Sequence, residues 1–427
     1  MQVAEPLLGV HDGEMSDTAG GRLGLSREGW LILGTKAVRA FGFGWLSVVI
    51  ALFLAYRGFS PAEIGAVFTA TLVEDALLTM LLSSMAARIG PARIMAFTAP
   101  LIVLGGVLLA TAESHWMLIA GAVLGTLSPN GQEAGPFTAM EQALLPATVR
   151  SGSRTRAFGW YNVFGFLPAA LGALAAGLFV GWALRRGIAE SLAHRWMLWV
   201  YALTGVVLTA LYLRFPAQLA PAARPSEPKT VGVLGLHRSR GAVLQLAGLQ
   251  AVDALAGGFI MQSLLAYWFH LRFGAGPEAL GALFFGTNLL SAVSFLVATR
   301  IAERFGLLNT MVFTHLPSNV LLVFVPFMPS FTSAAVLLLL RHVLSQMDVP
   351  TRQAYTMALV APEERPAAAG FTGSARALAQ ACAPFLSGAS MAAAATGLPF
   401  FLAGGLKIAY DVALYFRFRR VRLPDER

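Results

Sequence analysis

Charge is scarce in this chain: Asp, Glu, Lys and Arg make up 12% of its 427 residues, against 56% hydrophobic. A soluble fold of this length has no means of hiding so much apolar surface, so lipid must be the solvent for most of it. Cysteine is nearly absent. The single thiol, Cys382, falls inside an apolar run, which excludes a disulfide within the chain and leaves thiol chemistry without a partner. There is no Gly-rich phosphate loop ending in Gly-Lys-Ser or Gly-Lys-Thr, so ATP hydrolysis is not expected. No His and Cys spacing suits a metal, and no loop is long enough to house a catalytic domain, so neither enzyme activity nor a cofactor is predicted. The first 29 residues lack a basic start followed by an apolar core, and read as a tail rather than a cleaved signal peptide.

What the chain has in abundance is apolar runs of about 20 residues, the length that crosses a hydrocarbon core. The runs fall near 30–56, 62–87, 93–112, 116–141, 157–184 and 195–214, then 241–270, 278–302, 308–328, 331–357, 366–395 and 398–420. These twelve spans predict a six-helix bundle over 30–215, a Pro/Ala-rich cytoplasmic linker over 216–240, a second bundle over 241–420 and a basic tail over 421–427. The two halves repeat each other at an offset of 216 residues. Segment 58–98 lies over 274–314 without a gap, with Gly58/Gly274, Pro61/Pro277, Gly65/Gly281, Phe68/Phe284, Arg88/Arg304 and Gly90/Gly306 among the identities. A repeat this long in an apolar chain points to paired membrane bundles rather than a soluble solenoid.

The formal net charge of +9 is distributed as a topology signal and not as a nucleic-acid footprint. With the N-terminus in the cytoplasm, only Arg57, Arg185, Arg186, Arg195 and Arg272 lie on the opposite face. That bias places both termini in the cytoplasm.

Twelve spans, a 6+6 repeat and a basic Gly turn between the second and third helices of each half resemble the major facilitator superfamily. In that family the turn reads roughly Gly-x-x-x-Asp-Arg-x-Gly-Arg-Arg. Here it is Ala87-Arg88-Ile89-Gly90 in the first half and Glu303-Arg304-Phe305-Gly306 in the second, so the acid survives only as Glu303. The resemblance covers about 30–420 and is of bacterial type. It implies an all-α integral membrane protein of two pseudo-symmetric bundles. Alternating access would move a small solute through it, with Arg88, Gly90, Glu303, Arg304 and Gly306 as gating turns. It also implies protons as coupling partner, a functional monomer and the cytoplasmic (inner) membrane. Proton-coupled export of a drug-like or metabolic compound is the leading expectation. Uptake of an organic anion is the alternative within the class, and a non-transporting receptor or scaffold is the alternative outside it.

Ionisable groups inside spans cost at least about 2.5–3.5 kcal/mol, so each needs a partner, a cavity or a function. In the first span, Lys36 is read as snorkelling, and Arg39 as a functional group or half of a buried pair. Glu74 and Asp75 sit mid-way along the second span, about 100° apart on a helix. One is expected to meet Arg39 and the other to titrate or line the path. In the fourth span, Pro129, Gly131, Gly135 and Pro136 predict a break beside Glu133, while Glu141 reads as interfacial.

Asp253 in the seventh span is expected to face the central cavity. Gln262, nine residues on, should point away from it on a continuous helix. Arg341 and Asp348 share one face of the tenth span, about 10 Å apart along its axis. Arg341 is either an anion-binding or coupling arginine or the partner of Asp253. Lys407 and Asp411 are spaced to pair with each other. Arg376 and Asn288 are candidate cavity polars, His315 and Asn319 are read as packing, and Trp160, Tyr161 and Trp268 as interfacial anchors.

Overall fold

Four of the expected spans are broken in the middle, and they are symmetry mates. In the computed structural model, which describes residues 25–131, 135–149, 154–216, 239–360, 364–393 and 397–421, the first pass is α1 (Arg27–Ser47) followed by α2 (Ile50–Tyr56). The second and third passes are α3 (Pro61–Ile89) and α4 (Pro91–Thr111). The fourth is split into α5 (His115–Leu124) and α6 (Pro136–Leu144), and α7 (Arg154–Arg185) and α8 (Glu190–Tyr212) complete the half. The second half repeats the pattern, with α9 (Arg240–Gly258) and α10 (Gln262–Phe273), then α11 (Pro277–Phe305) and α12 (Leu307–Phe324). A second split pass, α13 (Phe331–Ser345) and α14 (Asp348–Leu359), precedes α15 (Arg365–Ala392) and α16 (Leu398–Phe418). Among the described residues there is no strand beyond an isolated bridge between Leu25 and Val149.

Nine helical segments among the described residues are long and apolar enough to cross a bilayer. The other three passes are the two split ones, α5/α6 and α13/α14, and the small-residue helix α15, an arrangement consistent with twelve spans. Breaking a helix at membrane depth frees backbone groups, which is tolerated where they are buried or line a cavity. The break in the fourth pass follows from its Gly and Pro residues, as the sequence predicts. Those at Val48–Val49 and Gln346–Met347 carry no such residue and were not expected.

Local chemistry explains the repeated segments. Ser60 and Glu63 form a capping box at the start of α3, with Pro61 at its first turn. The turns after α3 and α11 are made by Gly90 (φ 93°, ψ 136°) and Gly306 (φ 82°, ψ 159°), one backbone solution used twice. A side chain at either position would be strained, which is why the repeat keeps glycine there.

Within the halves, α1 packs on α7 and α8, and α9 on α15 and α16. Between the halves, α3 meets α15 and α7 meets α11. Near the starts of α3 and α11 these crossings bring backbone onto backbone. A Cβ on Gly281 would lie 2.9 Å from Gly177 Cα and 2.7 Å from the Ala173 carbonyl oxygen. In the symmetry-related crossing, a Cβ on Gly388 would lie 3.1 Å from Gly65 Cα. Small residues permit this approach, the usual way helices gain dispersion contact in a bilayer. An exposed ion pair, Arg185 with Glu278, joins α7 and α11 at the same end.

Candidate functional site

Asp253, near the middle of the seventh pass, is buried, and three cations converge on it. Lys407 Nζ lies 2.5 Å from Oδ1, while an Arg376 NH1 at 3.0 Å and an Arg352 NH1 at 3.1 Å donate to Oδ2. Arg352 also reaches Asp348 one turn earlier on α14, at 2.6 Å. A second carboxylate stands behind the first. Asp411 Oδ1 is 2.8 Å from His315 Nδ1, and Asp411 Oδ2 accepts from Asn319 Nδ2 at 3.0 Å. His315 bridges the two acids, since its Nε2 is 3.9 Å from Asp253 Oδ1. Charges taken out of water are tolerated when oppositely charged donors surround them, and Asp253 has three such donors.

The cluster forms one wall of a cavity of about 240 Å³. Arg341 and Ser345, one turn apart on α13, form a second wall, and Asn130, Gln262 and Asn288 line a third. Arg341 differs from the other buried arginines. Among the described residues no carboxylate lies within ion-pair distance of it, and its Nε and the Ser345 hydroxyl have no hydrogen-bond partner there. Arg341 Nη1 lies 3.5 Å from His342 Nε2. Arg341 is 6% exposed, so water at the surface does not solvate it.

The first half has a different character. Arg39 donates to both oxygens of Glu141 at 2.8 Å, in the fork geometry that arginine offers carboxylates. Tyr212 and Tyr161 each donate to Glu141 at 3.0 Å, and Thr35 at 3.1 Å. The Lys36 ammonium lies over the Tyr161 ring, 3.8 Å from its centroid. This knot holds α1, α6, α7 and α8 together.

Several expectations are corrected by this geometry. Glu141 is fully buried rather than interfacial, and it takes the Arg39 partnership expected of Glu74 or Asp75. The cause is the restart of the helix at Pro136, which turns Glu141 towards α1. Asp75 instead lies against Gly135, where α6 begins, and Glu74 lines an apolar groove on the outer side of α3. Lys407 and Asp411 do not pair with each other but serve Asp253 and His315. Arg341 does not pair with Asp253 among the described contacts; Arg352, Arg376 and Lys407 do. Gln262 shares the cavity with Asp253 because the chain breaks at 259–261, so the helical extrapolation between them fails. Tyr161 and Trp268 are core residues, not anchors, while Trp160 is exposed.

Asp253, Arg341 and Asp348 are brought to one cavity, together with the candidate polars Arg376 and Asn288. His315 and Asn319, read as packing, support it. Arg352 was missed altogether, although its spacing of four from Asp348 is the signal that could have found it. Glu133 lies outside the described residues, as does most of the linker. Arg88, Glu303 and Arg304 are exposed at their turns and form no ion pair among the described residues.

Two pseudo-symmetric helical halves, with polar groups gathered at the broken helices, define a multi-pass membrane transporter. The chain belongs to the Major Facilitator Superfamily, whose sequence pattern matches residues 32–345. It is 24% identical over 418 residues to an uncharacterized membrane protein of Saccharomyces cerevisiae, covering 91% of this chain and 93% of the yeast protein. Among solved structures, it resembles a D-xylose-proton symporter with a TM-score of 0.71 and 12% identity, over 90% of this chain and 97% of that one. It also resembles a nucleoside transporter (TM-score 0.69, 13% identity, 92% of this chain and 100% of that one). A human organic anion transporter gives a TM-score of 0.64 at 15% identity, over 90% of this chain and 98% of that one. At these identities the likeness is one of fold.

Proposed function

We propose that the protein carries a small organic anion across the cytoplasmic membrane by alternating access, binding it in the cavity beside Arg341. One observation carries this reading: among the described residues no carboxylate lies within ion-pair distance of the buried Arg341 guanidinium, and it lines the cavity. An unpaired charge in that position is costly unless a ligand supplies the counter-charge. Ser345, with an unpartnered hydroxyl one turn away, adds a second hydrogen-bonding group to the same wall. The size of the cavity, about 240 Å³, lies below the roughly 300–1,000 Å³ of pockets for drug-sized ligands. This favours a small polar solute over a bulky drug.

Coupling to protons is part of the proposal. Asp253 and Asp411, bridged by His315, are the carboxylates whose protonation would loosen the cationic cluster and bias one state over the other. Both termini lie in the cytoplasm and a monomer suffices, because each half contributes to one central path.

Export of a lipophilic compound is a second reading, and one feature favours it. An apolar groove of about 620 Å³ between α3 and α15 is lined by Val73, Leu77, Leu81 and Phe385, with Glu74 as its one charge. Counterflow in proteoliposomes separates the two. Labelled monocarboxylates should exchange, and Arg341→Gln should abolish that exchange. Exchange of tetraphenylphosphonium without any exchange of carboxylates would overturn the anion reading in favour of export.

A further inference from the structure

We infer that the ligand of this cavity is a polyhydroxylated monoanion, a sugar-acid-like molecule with one carboxylate and several hydroxyls. The inference rests on the anion reading above and deepens it with two independent counts, one of charge and one of hydrogen-bonding capacity.

The charge count concerns the Arg, Lys, Asp and Glu side chains of the cluster among the described residues. The cations are Arg341, Arg352, Arg376 and Lys407, and the carboxylates are Asp253, Asp348 and Asp411. Four Arg and Lys side chains thus face three carboxylates among the described residues. Geometry gives the same answer, since Arg341 is the cation without a carboxylate. A monoanion balances the site, whereas a dicarboxylate or a phosphate monoester brings a surplus negative charge into a water-poor space.

The second count concerns three residues of α11 that line the same cavity. Both N–H groups of Asn288 are already used, one on Gln262 Oε1 at 3.0 Å and one on the Phe284 carbonyl at 2.8 Å. Its Oδ1 therefore remains as an acceptor. The Thr287 hydroxyl donates to the Phe284 carbonyl at 3.1 Å, and the Ser291 hydroxyl to the Thr287 carbonyl at 2.7 Å, so these too offer lone pairs only. All three line the cavity. This wall needs a ligand that donates. A second carboxylate would face acceptors with acceptors, and an alkyl chain would leave them dry. An ammonium donates, but a zwitterion carries no net charge to balance Arg341, and both cavity-lining carboxylates, Asp253 and Asp348, are already paired with cations. Hydroxyl hydrogens meet both demands.

Thermal-shift titration of the purified full chain with gluconate, hexanoate, sorbitol and 6-phosphogluconate tests this. Gluconate should bind about tenfold or more tighter than hexanoate, because each unmade hydrogen bond to a buried acceptor costs several-fold in affinity. Sorbitol should give no shift, and 6-phosphogluconate should bind more weakly than gluconate. Asn288→Leu should shrink the advantage of gluconate over hexanoate to within about threefold. Ser291→Ala, which removes one hydroxyl and little else, should move the ratio in the same direction. Equal binding of gluconate and hexanoate would overturn the inference and leave the anion reading intact. Tighter binding of 6-phosphogluconate would overturn the monoanion count. A shift with sorbitol alone, or none with any of the four in folded protein, would overturn both readings.

Discussion

Arg39 and Glu141, 102 residues apart, meet through two parallel hydrogen bonds of 2.8 Å with both side chains fully buried. Removing one partner strands the other charge, which costs about 3–5 kcal/mol in buried pairs. Glu141→Ala should therefore lower the melting temperature in detergent markedly. Replacing both, as Arg39→Met with Glu141→Leu, should recover most of that loss, because an apolar pair needs no desolvation of charge. If the double variant melts as low as the sum of the singles, the two residues act separately and the knot is not a unit.

Asp253 gathers three cations, Lys407, Arg352 and Arg376, at the wall of the ligand cavity. Asp253→Asn removes one negative charge while keeping the shape, and so leaves Lys407, Arg352 and Arg376 less well compensated. The cavity becomes more positive. Anion binding by thermal shift should tighten, while counterflow should slow by about tenfold or more, since a tighter ground state raises the barrier to release. Weaker binding with unchanged exchange would show that Asp253 is a packing residue.

Glu74 separates the two halves of the original expectation. It lies on the groove side of α3, away from the cavity that holds Arg341. Glu74→Gln should leave monoanion exchange within about twofold of the native rate, the change expected of a site with no shared partners. Loss of exchange would place a coupling carboxylate in the first half, as the mid-span pair Glu74 and Asp75 suggested.

The architecture was legible because it is written in quantities that survive without tertiary detail: span length, the repeat at 216 residues and the paired turns at Gly90 and Gly306. The broken fourth pass was legible for the same reason, since Gly and Pro announce it. Side-chain partnerships were not. Helical extrapolation assumes a continuous helix, and it failed where the chain is interrupted, most clearly for Gln262 beyond the break at 259–261. Glu141 was misread because depth was counted along an unbroken span, whereas α6 restarts at Pro136 and aims it inwards. Arg352 and Lys407 were undervalued because sequence offers only near partners along one helix. Asp253, the partner they share, is reached across the bundle from α14 and α16.

The glycine crossings make a prediction about access rather than affinity. Gly65 and Gly281 are repeat partners, and each touches the backbone of the opposite half, at Pro384 and Gly388 or at Ala173 and Gly177. The closed approach at this end leaves no room for a branched side chain, and the near neighbours are backbone atoms that cannot rotate aside. Gly281→Val should therefore force α7 and α11 apart and favour the state in which this end is open. The readout is a cross-link between cysteines introduced as Ala173→Cys and Leu280→Cys, on a Cys382→Ser background to remove the one native thiol. The cross-link should form readily with Gly281 and fall several-fold with valine. Counterflow should slow as well, because alternating access requires this end to close. A cross-link that forms equally fast in both would mean that the helices yield elsewhere, and that the glycines serve packing alone.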